Sequence, residues 1–313
     1  MEAIVRALQG ILTVMILISL GFVLAKRGWF NVQSEALIAK LVTQICLPAY
    51  MVVNLTTTFT HAQLVAMSSG LVVPFLSMFL CYFIGKAVAF LLKVPRSRHG
   101  VFCSVFFTAN SIFIGLPLCL ALFGDAGSPY VMLYYIANTV AFWTIAVRDI
   151  AKDAGLTAPL FSVGTLKAVL SPPLFGFMAG VVMVMLDWQL PGPILTSCHY
   201  IGSMVTPLAM LFVGIAISNF KWEDMHLDLE LFAAMAGRFG VSPLCVLVLI
   251  PMFPIPTLMA HVFVMQAAMP AMTNTAIIAK AYGADYKYAA KLTVVSVFLA
   301  ALATPFYMWL LQG

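Results

Sequence analysis

The sequence predicts an all-α membrane protein with ten transmembrane helices, arranged as two inverted five-helix repeats with the N- and C-termini outside. Three observations predict this fold: an apolar composition, the distribution of basic residues between the apolar stretches, and a pattern of proline and amide residues that occurs in both halves. The first sets the class of protein, the second sets its orientation, and the third points to a functional site.

The composition excludes a water-soluble protein. Apolar residues make up 63% of the 313 residues and charged residues 9%, and the mean hydropathy is +1.05. Soluble domains are about 45–50% apolar and about 25% charged. A cytosolic enzyme, a nucleic-acid binder and a disordered chain are therefore excluded. The six cysteines fall singly in apolar stretches, which predicts small buried side chains rather than disulfides or a metal site.

Ten stretches are long enough to cross a bilayer, which takes about 20 apolar residues in a helix. We predict spans at residues 6–26, 35–57, 63–92, 99–123, 128–148, 167–188, 193–218, 229–252, 256–281 and 287–311. Helices are the expected form of each span, because no water is present in the hydrocarbon core to satisfy free backbone groups.

Basic residues mark one side of the membrane, since cytoplasmic loops are enriched in lysine and arginine. The loops after odd-numbered spans hold or adjoin nearly all of them, and the loops after even-numbered spans hold none. These residues are Lys26, Arg27, Lys93, Arg96, Arg98, Arg148, Lys152, Lys167, Lys221, Lys280, Lys287 and Lys291. The odd-numbered loops are therefore predicted to be cytoplasmic, and both termini are predicted to lie outside.

The longest cytoplasmic connection, residues 149–166, divides the chain into two sets of five spans, in residues 1–155 and 156–313. Because five is odd, two related halves must lie in the membrane with opposite topology, which is the architecture of many secondary transporters. Prolines recur at corresponding places in the two halves. Pro48 of span two corresponds to Pro207 of span seven, and Pro117 of span four corresponds to Pro270 of span nine.

Pro117 and Pro270 stand near polar side chains, a pattern that suggests a binding site. Neither proline can donate a hydrogen bond to the carbonyl four residues earlier, so each is expected to interrupt its helix. Proline suits the first turn of a new helical segment, whose N-terminus carries roughly half a positive charge. Two such ends would suit a carboxylate. The candidate binding residues are Asn110, Ser111, Gly115, Gln266, Thr273, Asn274 and Thr275.

Alternatives stay open for these and other polar residues. A lone proline often only kinks its helix, and amides within spans can be no more than links between helices. Asn54 in span two and Asn138 in span five fit that second description. Arg238, nine residues into span eight, could reach the cytoplasmic interface, pair with the carbonyl end of a helix or bind the substrate. Lys86 is expected to extend to the interface.

Span four carries a resemblance to a known family. Residues 107–118, continuing to residues 122–124, resemble span four of the auxin efflux carrier family. Residues 266–270 and 279–282 resemble the family's span nine, and Leu47-Pro48 fits its span two. The short connection between the halves is similar to that of prokaryotic members of the malonate and malate permease kind. One departure is that residues 62–70 lack the acidic residue that plant carriers have in span three.

The resemblance implies a fold related to sodium/bile-acid symporters, in which spans four and nine cross at their broken centres. Spans one, two, six and seven would form a scaffold that also dimerises, and spans three to five and eight to ten would form a transport domain that moves as an elevator. Asn110 would bind the substrate, Pro117 and Pro270 would break the crossing helices, and Asn138 matches a polar contact in span five. The implied cargo is a small organic anion such as malonate or malate, in a prokaryotic cell membrane.

The sequence predicts a carrier and no enzyme, because the spans lack the paired aspartates, the His-Glu-x-x-His helix or the Ser–His dyad of an intramembrane enzyme. A channel would need a ring of charges or a filter of carbonyls, and a sensor with this fold stays an open alternative. No carboxylate lies near a span centre, so no buried proton relay is predicted. The expected partners are a carboxylate substrate, lipid, a second copy of the chain, and sodium or a proton as co-substrate; no nucleic acid and no cofactor is expected.

Overall fold

The computed structural model describes residues 2–156, 163–219 and 226–311, and most of these residues are helical. Lys221, predicted to be cytoplasmic, lies outside the described residues. The described α-helices are, in chain order, α1 (Glu2–Lys26), α2 (Val32–Leu41), α3 (Leu47–Thr58), α4 (His61–Ser68), α5 (Val72–Leu91), α6 (His99–Phe107), α7 (Leu116–Phe123), α8 (Ser128–Ala141), α9 (Val147–Asp153), α10 (Val163–Val169), α11 (Pro172–Met185), α12 (Gly192–Ser203), α13 (Val205–Ser218), α14 (Leu229–Ala236), α15 (Ser242–Leu249), α16 (Thr257–Ala267), α17 (Asn274–Tyr282) and α18 (Tyr286–Leu310).

Several of the helical stretches are long and apolar enough to cross a membrane. In the described part of the chain six qualify, and they match predicted spans two, three, five, seven, eight and ten: Gln33–Thr58, Val72–Leu91, Asp125–Asp153, Gly192–Ser218, Leu229–Met252 and Tyr286–Leu310. The other four predicted spans contain shorter apolar helices: Leu12–Lys26, Ser111–Phe123, Pro172–Met185 and Thr257–Ala267. The protein is therefore a multi-pass membrane protein whose described secondary structure is helical, and the total of ten spans stays a prediction.

The region predicted as span three, residues 63–92, is not one continuous helix. Helix α4 ends at Ser68, and a 3₁₀ turn, Ser69–Leu71, separates it from α5. Pro74 lies in the first turn of α5, where a residue without an N–H group breaks no helical hydrogen bond. The break is thus consistent with the local sequence, and α5 alone supplies the 20 residues that a crossing helix needs.

The chain folds into two compact units. Unit 1 comprises Met1–Ser69, Ile112–Met132 and Leu170–Asn219. Within it α1 packs along α13, and α3 packs against α11 and α12. The α1–α13 contact is close because glycines face each other: a Cβ atom on Gly214 would collide with the backbone oxygen of Ile18, and one on Gly21 would lie 2.5 Å from the backbone oxygen of Leu211.

Unit 2 comprises Gly70–Ser111, Leu133–Val169 and Phe220–Gly313. Its central helix is α6, which contacts α5, α9, α14, α17 and α18 and whose residues from Gly100 to Phe107 are all buried. A helix that is apolar all round fits such a position. The end of this buried helix, after Phe107, leads directly into the candidate site.

Four π-turns occur within the described helices: Val42–Cys46, Ser111–Gly115, Phe142–Ala146 and Gly237–Val241. In three of them a proline follows at the second position after the turn, namely Pro48, Pro117 and Pro243. A π-turn moves the hydrogen bond to the carbonyl five residues back, as the Ser242 N–H shows by donating to Gly237. The wider turn therefore accommodates a proline that cannot donate, and the helix continues without a break.

Candidate functional site

The first interruption lies between α6 and the helical stretch that follows it. Thr108 has an extended backbone, with φ −102° and ψ 138°, and helical geometry resumes at Ser111. Pro117 is seven residues past this break, inside the apolar helical stretch Ser111–Phe123. The prediction that Pro117 marks the break in span four therefore needs correction: the π-turn Ser111–Gly115 absorbs the proline, and the helix is interrupted at Thr108–Asn110 instead.

The second interruption lies between α16 and α17. Helix α16 ends at Ala267 and α17 begins at Asn274, so the link between them contains Pro270, as the sequence predicts. Gln266 is fully buried in the last turn of α16, whereas Thr273 and Asn274 are half-buried at the start of α17. The break in span nine thus coincides with its proline, unlike the break in span four.

The two interruptions meet inside unit 2. Ala109 and Ala271 form an antiparallel bridge, and the backbone N–H of Asn110 donates to the carbonyl of Pro270 at 2.8 Å. The side-chain amide of Asn110 also donates to the hydroxyl of Thr273 at 2.8 Å. Backbone groups freed by a broken helix need partners at membrane depth, and here each link supplies partners for the other. We call this contact the crossing.

Two side chains from neighbouring helices hold the crossing in place. The Asn138 side chain accepts a hydrogen bond from the Ala109 N–H at 2.8 Å and donates one to the Ala109 carbonyl at 2.9 Å. The hydroxyl of Ser296 accepts from the N–H of Ala271 at 2.9 Å. Sequence reasoning missed Ser296, since a lone serine within an apolar helix carries no signal of its partner. Both the oxygen and the nitrogen of the Asn138 amide bond to the backbone of Ala109, so its observed role is structural.

Arg238 is fully buried in the π-turn Gly237–Val241 and lies against the end of α16. Its Nη2 donates to the hydroxyl of Ser242 at 2.6 Å and to the carbonyl of Ala267, the last residue of α16. Of the three roles that the sequence leaves open, the structure shows the contact with a helix end, which also carries a partial negative charge. Arg238 forms no ion pair with any described residue.

The other predicted residues divide between the two units. Ser111 ends unit 2, and its buried hydroxyl has no hydrogen-bond partner among the described residues. Thr275 is buried in α17, where its hydroxyl lies 3.0 Å from that of Ser104. The remaining predicted residues lie in unit 1 and are Gly115, Pro117, Pro48, Asn54 and Pro207.

Asn54 has a different set of partners, all within unit 1. Its side-chain oxygen accepts from the hydroxyl of Ser128 at 2.5 Å, and its amide donates to the backbone carbonyl of Asp125 at 3.2 Å. These contacts join α3 to the start of α8, as expected of an amide that links helices. Pro48 packs closely on Gly176, where a Cβ atom would collide with the Pro48 backbone, and Pro207 lies in the first turn of α13.

The crossing therefore brings together Asn110, Ser111, Pro270 and Thr273 on a scaffold supplied by Asn138, Ser296 and Arg238. Its polar groups are amides and hydroxyls, which donate hydrogen bonds without adding negative charge. The N-terminus of α17 adds a partial positive charge, and the guanidinium of Arg238 adds a buried full one. Such a set of groups is suited to holding a small anion.

Comparisons with known proteins show the family of the chain. The model of the membrane transport protein family matches residues 7–308. An uncharacterized transporter of Methanocaldococcus jannaschii is 24% identical over 314 residues, covering 96% of this chain and 97% of the relative. An uncharacterized transporter of Methanothermobacter thermautotrophicus is 24% identical over 305 residues, covering 96% of each chain. Because the family model covers nearly the whole chain, the protein belongs to this membrane transport family, the auxin efflux carrier family.

Proposed function

We propose that this protein is a secondary transporter of small organic anions, carboxylates such as malonate or malate, that works by elevator-type alternating access. The observation that carries the proposal is the crossing in unit 2, where two interrupted helices pair through the Asn110 N–H and the Pro270 carbonyl. Interrupted helices that expose polar backbone and side-chain groups at membrane depth are typical of substrate sites in transporters.

The charge around the crossing favours an anion as cargo. The buried Arg238 has no carboxylate partner in the described chain, and a buried charge is costly unless something offsets it. The described carboxylates of unit 2 lie at helix ends, at Asp149, Asp153, Asp228, Glu230 and Asp285. An anion near the crossing would be stabilised by Arg238 and by the N-terminus of α17, with Asn110, Ser111, Thr273 and Asn274 as hydrogen-bonding groups.

The proposed architecture has ten spans in two inverted repeats, residues 1–155 and 156–313, with both termini outside. Spans one, two, six and seven would form a scaffold and a homodimer interface, and the remaining spans would carry the substrate. The composition of unit 1 supports most of this division, since it contains α1–α3 and α11–α13 of those four spans, together with α4 from the start of span three. Residues 112–132, from spans four and five, also belong to unit 1, so the carrier unit that we propose is smaller than six complete spans.

The direct test is uptake of labelled malonate and malate by proteoliposomes that contain the purified protein. Saturable uptake with counterflow supports a carrier, linear flux indicates a channel, and binding without flux indicates a sensor. Uptake in the presence or absence of a sodium gradient or a proton gradient identifies the co-substrate, or shows that neither is needed.

Asn110→Ala tests the site itself. The substitution removes an amide whose loss should cost about 1–3 kcal/mol, so uptake at low substrate concentration should fall by roughly fivefold to 150-fold. Asn219→Ala is the matched control, because that amide lies at the surface of unit 1 and donates to Glu35; its uptake should match the wild type. Normal uptake by a folded Asn110→Ala variant would remove Asn110 from the site.

A further inference from the structure

A charged cavity lies at the end of unit 2 that the sequence predicts to be cytoplasmic. It has a volume of about 660 Å³, within the range of small-molecule sites in proteins. Its walls come from the last turns of α5, the turn that follows, the start of α6 and the end of α9. The charged and titratable lining residues are Lys86, Lys93, Arg96, His99, Asp149, Lys152 and Asp153.

One face of α5 runs from the membrane into this cavity. Lys86, Ala89 and Phe90 line it, and their spacing of three and four residues puts them on one side of the helix. Lys93, in the turn after α5, lines it too. Phe90 and Leu91 are 79% and 75% exposed at the end of an apolar helix of 20 residues. Lys93 follows two residues later, so the cavity opens at the depth of the lipid headgroups.

Both carboxylates of the cavity already have partners. Asp149 forms ion pairs with Lys86 at 2.7 Å and Lys152 at 3.1 Å, and it accepts a hydrogen bond from the Tyr82 hydroxyl at 2.8 Å. Asp153 accepts from the backbone N–H groups of Gly100 at 2.8 Å and Val101 at 2.9 Å, which caps the N-terminus of α6. Asp149 is therefore occupied by two lysines, and the four cations that line the cavity outnumber its two carboxylates.

Lys93 and Arg96 are the cations that remain. Both are exposed, and neither forms an ion pair with a described residue. Lys93 also has a left-handed backbone, with φ 54°, in the turn where the Val94 N–H donates to Ala89. This conformation favours glycine and costs a lysine about 1–2 kcal/mol. The chain thus carries a cationic side chain at a position where glycine would be more stable.

We propose that this cavity binds a phosphate-bearing anion, with Lys93 and Arg96 as the charged donors. Guanidinium and ammonium groups bind phosphate oxygens by charge-assisted hydrogen bonds. The exposed Phe90 and Leu91 beside the cavity fit acyl chains, so an anionic phospholipid is the expected source of the phosphate. Basic pockets at the membrane surface between transmembrane helices recognise such headgroups. This inference does not depend on the nature of the transported substrate.

The test is thermal unfolding of the full-length protein in detergent, titrated separately with phosphatidylglycerol, phosphatidylcholine and inorganic phosphate. Phosphatidylglycerol should raise the unfolding temperature, and phosphatidylcholine should not. Lys93→Gly and Arg96→Gln should each weaken the apparent affinity for phosphatidylglycerol about tenfold. Arg27→Gln, which removes an exposed cation of unit 1, should leave that affinity unchanged.

Lys93→Gly separates binding from folding, because it relieves the left-handed strain and should fold at least as stably as the wild type without lipid. If inorganic phosphate raises the unfolding temperature in the same Lys93-dependent way, the cavity is a phosphate site whose ligand is the soluble ion rather than a lipid. Equal responses of the wild type, Lys93→Gly and Arg96→Gln to every anion would overturn the proposal. So would an equal loss of affinity in Arg27→Gln, since the effect would then be one of net charge alone.

Discussion

Asn138 replaces, with one side chain, the hydrogen bonds that a continuous helix would have given to Ala109. Its oxygen accepts from the Ala109 N–H and its amide donates to the Ala109 carbonyl. Asn138 is only 1% exposed, so water does not compete for these groups. An unsatisfied buried donor or acceptor costs about 1–3 kcal/mol, and the crossing therefore depends on this amide.

Two substitutions at Asn138 make that dependence measurable. Asn138→Ala should lower the unfolding temperature in detergent and the rate of uptake, because the buried N–H of Ala109 loses its acceptor and the Ala109 carbonyl keeps only its bond from the Ser111 N–H. Asn138→Asp keeps an acceptor for the Ala109 N–H but faces the Ala109 carbonyl with a second oxygen, so it should also unfold earlier than the wild type. Wild-type stability in both variants would show that the Ala109 N–H does not depend on Asn138 for an acceptor.

Residue types could be predicted at the crossing, but their partners could not. The sequence pointed to Asn110, Asn138 and Pro270 because amides and a proline in the middle of apolar spans are rare enough to notice. It could not assign Asn138 to Ala109 or reveal Ser296, because these contacts join segments 29 and 25 residues apart. The sequence marks Arg238 as unusual, yet only the folded structure shows that it binds the end of α16.

Prolines in this chain do not by themselves mark helix breaks. Pro243 leaves the Phe239 carbonyl, four residues earlier, without its usual donor, and the Tyr307 hydroxyl donates to that carbonyl instead. Pro117 is likewise preceded by a π-turn, and its helix continues to Phe123. The break in span four instead falls at Thr108–Asn110, where the link between α16 and α17 supplies hydrogen-bond partners. Sequence alone could not tell a continuous helix from a broken one at these prolines. The outcome depends on which distant group can bond to the backbone carbonyl or N–H that has lost its helical partner.

Helices α1 and α13 are held together by backbone contact rather than by large side chains. Gly214→Ala should lower the unfolding temperature, because its Cβ atom would collide with the backbone of Ile18, and overpacking costs about 1–3 kcal/mol. Gly240→Ala is the matched control, since a Cβ atom there meets nothing within 4 Å; it should be neutral or slightly stabilising. If both variants unfold at the same temperature as the wild type, the close approach of α1 and α13 at Gly214 does not contribute to stability.

At the scale of the whole molecule, the chain passes between its two units several times. Residues 70–111 belong to unit 2 and residues 112–132 to unit 1, so the boundary falls within predicted span four, directly after the crossing. The predicted halves, residues 1–155 and 156–313, are repeats rather than compact units, and they stay a prediction. Compactness depends on contacts between distant segments, and hydropathy along the chain carries no information about them.

Elevator-type transport predicts that the crossing changes its accessible side while unit 1 does not. Two single-cysteine variants test this, each made in a chain whose six native cysteines are replaced by alanine. Ala276→Cys puts its thiol in α17, two residues after Asn274, and Trp29→Cys puts its thiol in the loop after α1. A membrane-impermeant maleimide should label position 276 from both faces, at rates that substrate shifts in opposite directions, because the carrier unit alternates between the two sides. Position 29 should react from the cytoplasmic face alone, with or without substrate. Labelling of position 276 from a single face under all conditions would contradict movement of unit 2 and would favour a fixed site.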